Sequence, residues 1–284
     1  MLKIDDKIRH LIEWSLSEDI GRGDLTSEAI LEQDLKAQGI IVAKEEGVIA
    51  GLEIAKMVFH YLDPNLVFES SFKDGNRVMR KEAVATLKGS VRSILSGERT
   101  ALNFLQRLSG IATLTSKYVE KIKDTQVKIF DTRKTTPGLR ALEKYAVKMG
   151  GGENHRMGLF DMILIKENHI KAVGDIFKTI QKAKGKYPNE RIEVETKNLD
   201  EVAEAVNSGA DWIMLDNMSI EEMKKAMKII RSSKREIKIE ASGRIDLNNV
   251  REVALTGVNF ISVGALTHSA PALDFSLLLV ELNL

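Results

Sequence analysis

Residues 192–217 read IEVETKNLDEVAEAVNSGADWIMLDN. The stretch opens on a short apolar run, Ile192–Val194, passes through a periodic helical segment, Leu199–Asn207, and closes on a second apolar run, Trp212–Leu215. Strand, helix and strand at this spacing predict a parallel βα unit with a right-handed crossover. The same grammar recurs on both sides. Upstream lie the strand candidates Val127–Phe130 and Met162–Ile165, downstream Ile237–Ile239 and Phe260–Val263. Helical patterns occupy Leu139–Met149, Ala172–Lys184, Ile220–Ile230 and Leu247–Ala254. Six strands fall short of the eight of a closed (β/α)₈ barrel. The expected fold is an incomplete α/β-barrel of six or seven parallel strands, with a doubly wound sheet as the alternative.

The pattern differs before about Gly110. Asp5–Ser17 reads as an amphipathic helix with Ile8, Leu11, Ile12 and Leu16 on one face. Ala37–Ala43, Leu66–Phe72 and Ala83–Gly89 read as strands, separated by turn signals such as Asp63-Pro64-Asn65. Ile94–Lys123 reads as helical with a break at Gly110. Two domains are therefore expected: an N-terminal α+β sandwich over residues 1–110 and the barrel over 111–271. The last stretch, Ala272–Leu284, reads as a helix packing back on the first domain.

Composition narrows the function. The 284 residues carry a formal net charge of +1, with 43% hydrophobic and 29% charged residues, a soluble globular profile without a basic nucleic-acid surface. Cysteine is absent, which excludes disulfides, thiolate metal sites and cysteine nucleophiles. No apolar run approaches the ~20 residues of a membrane span, and the N-terminus lacks a signal-peptide core; the expected location is the cytoplasm.

The residues just past each strand carry the chemistry. The six candidates run into Asp131-Thr132-Arg133-Lys134, Lys166-Glu167-Asn168-His169, Glu195-Thr196-Lys197, Asp216-Asn217, Ala241-Ser242-Gly243-Arg244 and Gly264-Ala265. In parallel α/β folds these ends converge on one face. Arg133, Lys134 and Lys166, joined by His155-Arg156, suit a polyanionic substrate, because guanidinium forks bind carboxylates bidentately and ammonium groups act as point charges. Glu195 and Asp216 suggest Mg²⁺ or sugar hydroxyls, or else ion-pair partners of the basic set. Ser242-Gly243 and Gly264 fit a backbone phosphate site. The Gly150-Gly151-Gly152 run suits close approach to a ligand and fits no nucleotide-binding fingerprint. Trp14 and Trp212 read as packing residues. His10, His60 and His268 have no sequence partners for a metal, and His169 could support Lys166.

At these positions the sequence resembles the quinolinate phosphoribosyltransferase family. The resemblance rests on Glu18–Thr26 (EDIGRGDLT), Gly97–Leu105 (GERTALNFL), Asp131–Arg140 (DTRKTTPGLR) and Gly151–Arg156 (GGENHR), followed in order by Glu195, Leu215-Asp216-Asn217 and Ala241-Ser242-Gly243. It spans nearly the whole chain and implies an open sandwich followed by an incomplete barrel. It also implies a dimer in which Arg99 reaches the neighbouring subunit's site. Arg133, His155, Arg156 and Lys166 would then line the pyridine dicarboxylate pocket, with Lys134 near the phosphates. Glu195 and Asp216 would hold ribose hydroxyls and Mg²⁺, and Ser242, Gly243 and Gly264 the 5′-phosphate. The catalytic set so implied is Lys134, Lys166, Glu195 and Asp216. Two rivals stand beside this reading: phosphoribosyl transfer to nicotinate, and a Schiff-base aldolase with Lys166 as nucleophile.

Overall fold

The computed structural model describes residue 2 and residues 4–282. Two compact units interleave along the chain: one comprises residues 1–116, 136–151 and 270–284, the other 117–135 and 152–269.

The first unit contains α1 (Asp6–Ile20), α2 (Leu25–Ile30), β1 (Lys36–Ala43), β2 (Gly47–Val48), α3 (Leu52–Leu62), β3 (Val67–Glu69), β4 (Arg77–Val78) and β5 (Ala83–Ser90). It also holds most of α4 (Val91–Lys121), α5 (Arg140–Met149) and the last strand, β12 (Phe275–Leu282). Its main sheet has the order β12-β1-β5-β3 and is antiparallel. Helix α1 starts where the Asp5 carboxylate accepts the Ile8 N–H at 3.1 Å, an N-cap, and buries Ile8, Ile12 and Leu16. Trp14 points away from that face and is 74% exposed, contrary to its reading as a packing residue.

Three expectations fail in this unit for identifiable reasons. Helix α4 runs unbroken through Gly110, because that glycine serves close packing: a Cβ there would lie 2.0 Å from the Pro271 carbonyl oxygen. Gly150 likewise admits the Ala112 carbonyl, 2.3 Å from where its Cβ would be, so the glycine run meets protein backbone here. The expected C-terminal helix is strand β12, paired antiparallel with β1 from Ala37↔Leu282 to Ala43↔Phe275; residues 283 and 284 of that stretch lie outside the described residues. A short Leu-rich run has no period that separates strand from buried helix.

The second unit carries β6 (Lys128–Phe130), β7 (Ile163–Ile165), α6 (Glu167–Val173), α7 (Ile176–Lys186), β8 (Ile192–Thr196), α8 (Leu199–Ser208), β9 (Trp212–Asp216), α9 (Ile220–Ser232), β10 (Lys238–Ser242), α10 (Val250–Ala254), β11 (Phe260–Ser262) and α11 (Ala265–His268). The single helix expected over Ala172–Lys184 is split at Gly174, after which the Asp175 side chain caps α7. Every pairing in its six-stranded sheet is parallel, in the order β6-β11-β10-β9-β8-β7. The last of these strands in the chain, β11, pairs with the first, β6, as in a closed barrel, while β6 and β7 do not pair. The barrel is therefore incomplete at one seam. There Glu153 forms an isolated parallel bridge with Phe130, its N–H donating to the Ile129 carbonyl at 2.8 Å. The segment after Glu153 enters the strand-end region through this seam.

Side chains alternate across each strand. Val194, Ile213, Leu215, Ile239, Ala241 and Ile261 are buried on one face. The other face turns inward. Near its base Phe130, Phe260 and Trp212 stack, with ring centroids 4.5 Å apart for Phe130–Phe260 and 4.7 Å for Trp212–Phe260. Above them come Glu193, Met214, Glu240 and Ser262, then Lys166, Glu195, Asp216 and Ser242.

Candidate active site

A cavity of about 770 Å³ opens at the carboxyl ends of these strands. Its lining includes Arg133, Lys134, His155, Arg156, Lys166, Glu195, Asp216, Ser242, Gly243 and Gly264. Arg99 lies elsewhere, exposed on α4 in the first unit. His169 is absent from the lining; its Nδ1 accepts the backbone N–H of Lys166 at 2.9 Å and so supports the start of α6.

One wall is built by the loop after β6 and the seam segment. Fully buried Asp131 ties the two together: one carboxylate oxygen accepts the His155 N–H at 3.0 Å and the other accepts from the Asn154 amide. This presents His155 and Arg156 to the cavity. Arg156 is 8% exposed and donates one Nη to the Met162 carbonyl at 3.1 Å. Burial, and then the neighbouring Arg133 guanidinium, hold its pKa below the usual arginine value. Among the described residues, neither Arg133 nor Arg156 has a carboxylate within ion-pair distance, and the Arg133 Nε is buried without a hydrogen-bond partner. A buried guanidinium with a second one near it is costly unless an anion joins them.

The opposite side is acidic. Lys166 pairs with Glu195 at 2.6 Å, so the ion-pair reading of that carboxylate holds for Glu195. Asp216 accepts the Asn217 amide at 2.7 Å. Burial pushes the Asp216 carboxyl up, Glu195 adds to the rise, and the Asn217 amide, Lys166 and Lys134 oppose it. At the Ser-Gly turn Gly243 has φ +89°, and a Cβ there would meet Asn217 at 2.4 Å. Across β11, the His268 N–H donates to the Gly264 carbonyl at 3.2 Å, and the Thr267 hydroxyl donates to the Lys134 carbonyl at 2.8 Å.

Beneath this rim lies a cluster that the strand-end reading missed. His155 Nε2 is 2.9 Å from Glu193 and 3.5 Å from Glu240, and both carboxyl groups are fully buried. Among the described residues, this trio is the grouping whose ligand atoms could hold a metal, all within 4.8 Å of one another; the expected pair Glu195 and Asp216 sits above it. Burial pushes both buried carboxyls up to about 8, with the charge of Glu193 adding to the rise at Glu240. A group whose pKa rises on folding stabilises below its unfolded value, and that stabilisation is lost as pH climbs through the folded value. Between about pH 4.5 and 8 the wild-type protein should therefore lose stability. Glu240→Gln, isosteric and uncharged, should flatten the fall in Tm over this window. Identical melting profiles for the two proteins from pH 5 to 9 would show that the pair takes no part in it.

Glu193, Glu240 and His268 were not among the expected site residues, and Asn217 and Arg244 stood at strand ends without a role; all but Glu193 line the cavity. The signal for the two glutamates is period-2 spacing: Glu193 precedes Glu195, and Glu240 precedes Ser242, by two positions on one strand, which puts each pair on the same face.

A strand-end cavity lined by five arginines and lysines, with unpaired guanidiniums on one wall and a Ser-Gly turn on another, defines a barrel enzyme for polyanionic, phosphate-bearing substrates. Comparison with known proteins specifies it further. Residues 24–109 match the family model for the quinolinate phosphoribosyl transferase N-terminal domain, and residues 111–278 the one for its C-terminal domain. The chain belongs to this family. It is 48% identical to a probable nicotinate-nucleotide pyrophosphorylase [carboxylating] of Synechocystis, over 95% of this chain and 92% of that protein. A Bacillus subtilis protein of the same name is 47% identical, over 95% and 93%. The crystal structure of NadC from Streptococcus pyogenes superposes with a TM-score of 0.92 at 43% identity, covering 98% of this chain and all of that one. A human nicotinic acid phosphoribosyltransferase shares the fold alone, at 12% identity and a TM-score of 0.63. No helix among the described residues is long and apolar enough to cross a membrane.

Proposed function

We propose that the chain transfers the phosphoribosyl group of phosphoribosyl pyrophosphate to quinolinate and decarboxylates the product, giving nicotinate mononucleotide, carbon dioxide and pyrophosphate. The observation that carries the reading is the unpaired Arg133–Arg156 couple: two adjacent guanidiniums fit two adjacent carboxylates. Nicotinate, with a single carboxylate, leaves one of them unsatisfied.

The two substrates are both anions and repel each other, so the cationic lining is what brings them together. Holding the pyridine nitrogen in line with the anomeric carbon supplies up to ~7–11 kcal/mol at ideal alignment. The nitrogen lone pair forms the new bond to that carbon as the carbon–oxygen bond to pyrophosphate breaks. Glu195 and Asp216 face the positive charge that develops on the sugar, Lys134 faces the departing phosphates, and Lys166 lines the dicarboxylate pocket. N-alkylation makes the ring a pyridinium. The bond to the 2-carboxylate then breaks, carbon dioxide leaves, and the electron pair stays on the ring carbon beside the charged nitrogen until a proton replaces it.

Glu195 and Asp216 both line the cavity and offer oxygen donors, the donor type Mg²⁺ takes alongside water and substrate phosphates. Mg²⁺ bound there would neutralise charge on the pyrophosphate. The proposal also includes a homodimer with Arg99 contributed to the partner's site, and a cytoplasmic setting.

The test is to incubate the protein with phosphoribosyl pyrophosphate, Mg²⁺ and either quinolinate or nicotinate, and follow nicotinate mononucleotide by mass. Expected are product and carbon dioxide from quinolinate alone, and loss of turnover on chelation. Equal turnover of nicotinate would remove the dicarboxylate assignment, and turnover undiminished by chelation would remove Mg²⁺.

A further inference from the structure

Four non-glycine residues among those described have left-handed backbone: Lys81, Asn217, Lys234 and Arg244. Two of these, Asn217 at φ +56° and Arg244 at φ +54°, lie just past the ends of adjacent strands β9 and β10, and both line the cavity. Asn217 has a local reason to be there, since its amide holds Asp216 and its side chain packs against Gly243. Arg244 has none. Its backbone carbonyl accepts the Asn249 amide at 2.9 Å, a bond that any residue could make. Among the described residues its guanidinium has neither an ion pair nor a hydrogen bond, and it is exposed at the rim. A glycine would adopt this conformation without penalty. A charged side chain kept in a disfavoured conformation at a cavity points to a role in binding.

We infer that Arg244 binds a phosphate group of the phosphoribosyl donor, extending the Ser242-Gly243 turn with a charged fork. The inference rests on the proposed function for the identity of the donor, and on geometry for the site. Arg244 comes directly after the turn whose Ser242 is in register with Asp216 on one side and Ser262 on the other. A guanidinium there matches phosphate oxygens, which it can engage bidentately.

The decisive variant is Arg244→Gly, because it relieves the backbone and does not threaten folding. Its Tm should equal or exceed that of the wild type. Its KM for phosphoribosyl pyrophosphate should rise about tenfold while the KM for quinolinate stays within twofold, and Arg244→Lys should recover part of the loss. An unchanged donor KM in Arg244→Gly would overturn the assignment. Calorimetric titration of ribose 5-phosphate into both proteins keeps the two ideas separable. If the wild type fails to turn over quinolinate, about tenfold weaker ribose 5-phosphate binding by Arg244→Gly still supports the site, and equal binding overturns it.

Discussion

Alanine at Arg133 or at Arg156 is expected to raise the KM for quinolinate by about 10²–10³-fold at saturating donor, with the fold intact. Among the described residues neither guanidinium has a carboxylate partner, so its interaction energy is reserved for the ligand. Removing one member of a close, hydrogen-bonded charge pair costs about 2–5 kcal/mol, which sets the size of the effect. The stability change should be small and can be of either sign. Arg133→Ala removes a buried Nε that has no partner. Arg156→Ala gives up one bond to the Met162 carbonyl and relieves the repulsion from Arg133. Steady-state kinetics paired with thermal melts separates these effects. A KM within threefold of wild type in both variants would take the couple out of the quinolinate site.

Asp216→Asn should lower kcat about 10²–10³-fold and leave the KM for quinolinate nearly unchanged. The substitution keeps the shape of the side chain and removes its charge, and a single preorganised electrostatic contact to a developing charge is worth about that factor. Asp216 is the half-buried carboxylate at the end of β9, with one oxygen fixed by Asn217. Fixed orientation matters because the positive charge on the sugar exists only near the transition state, which is why the loss should fall on kcat. Glu195 differs in being paired with Lys166, so its removal would free a cation within the site and mix two effects. A kcat for Asp216→Asn within threefold of wild type would place the carboxylate away from the reacting sugar.

Much of this could be read from residue order. In the parallel sheet each strand interior is apolar on the helix-facing side and each strand end is polar, so the apolar runs and the groups just past them marked both barrel and rim. Less legible was whatever depended on which way a side chain turns. Glu193 and Glu240 lie within strands, and only two-residue spacing from a rim residue hints that they face inward. His155 and Arg156 sit in a loop whose sequence does not say where it goes; the open seam between β6 and β7 and the anchoring by Asp131 bring them to the cavity. Gly110 and Gly150 read as backbone freedom, although their role is to leave room for the carbonyls of Pro271 and Ala112. Strand β12 was the hardest, because its identity is set by the edge of β1, over two hundred residues away in sequence.

The way the barrel closes has a consequence for how the chain is made. Strand β6 is the first of its sheet to be made, yet its full-length partner β11 follows more than 130 residues later. Strand β1 likewise receives its second neighbour, β12, only after more than 230 further residues. Neither unit can complete its sheet until these distant partners have been made. Until then unpaired strand edges stay open to wrong partners, and removal of β12 should be felt as failed folding rather than as lost activity.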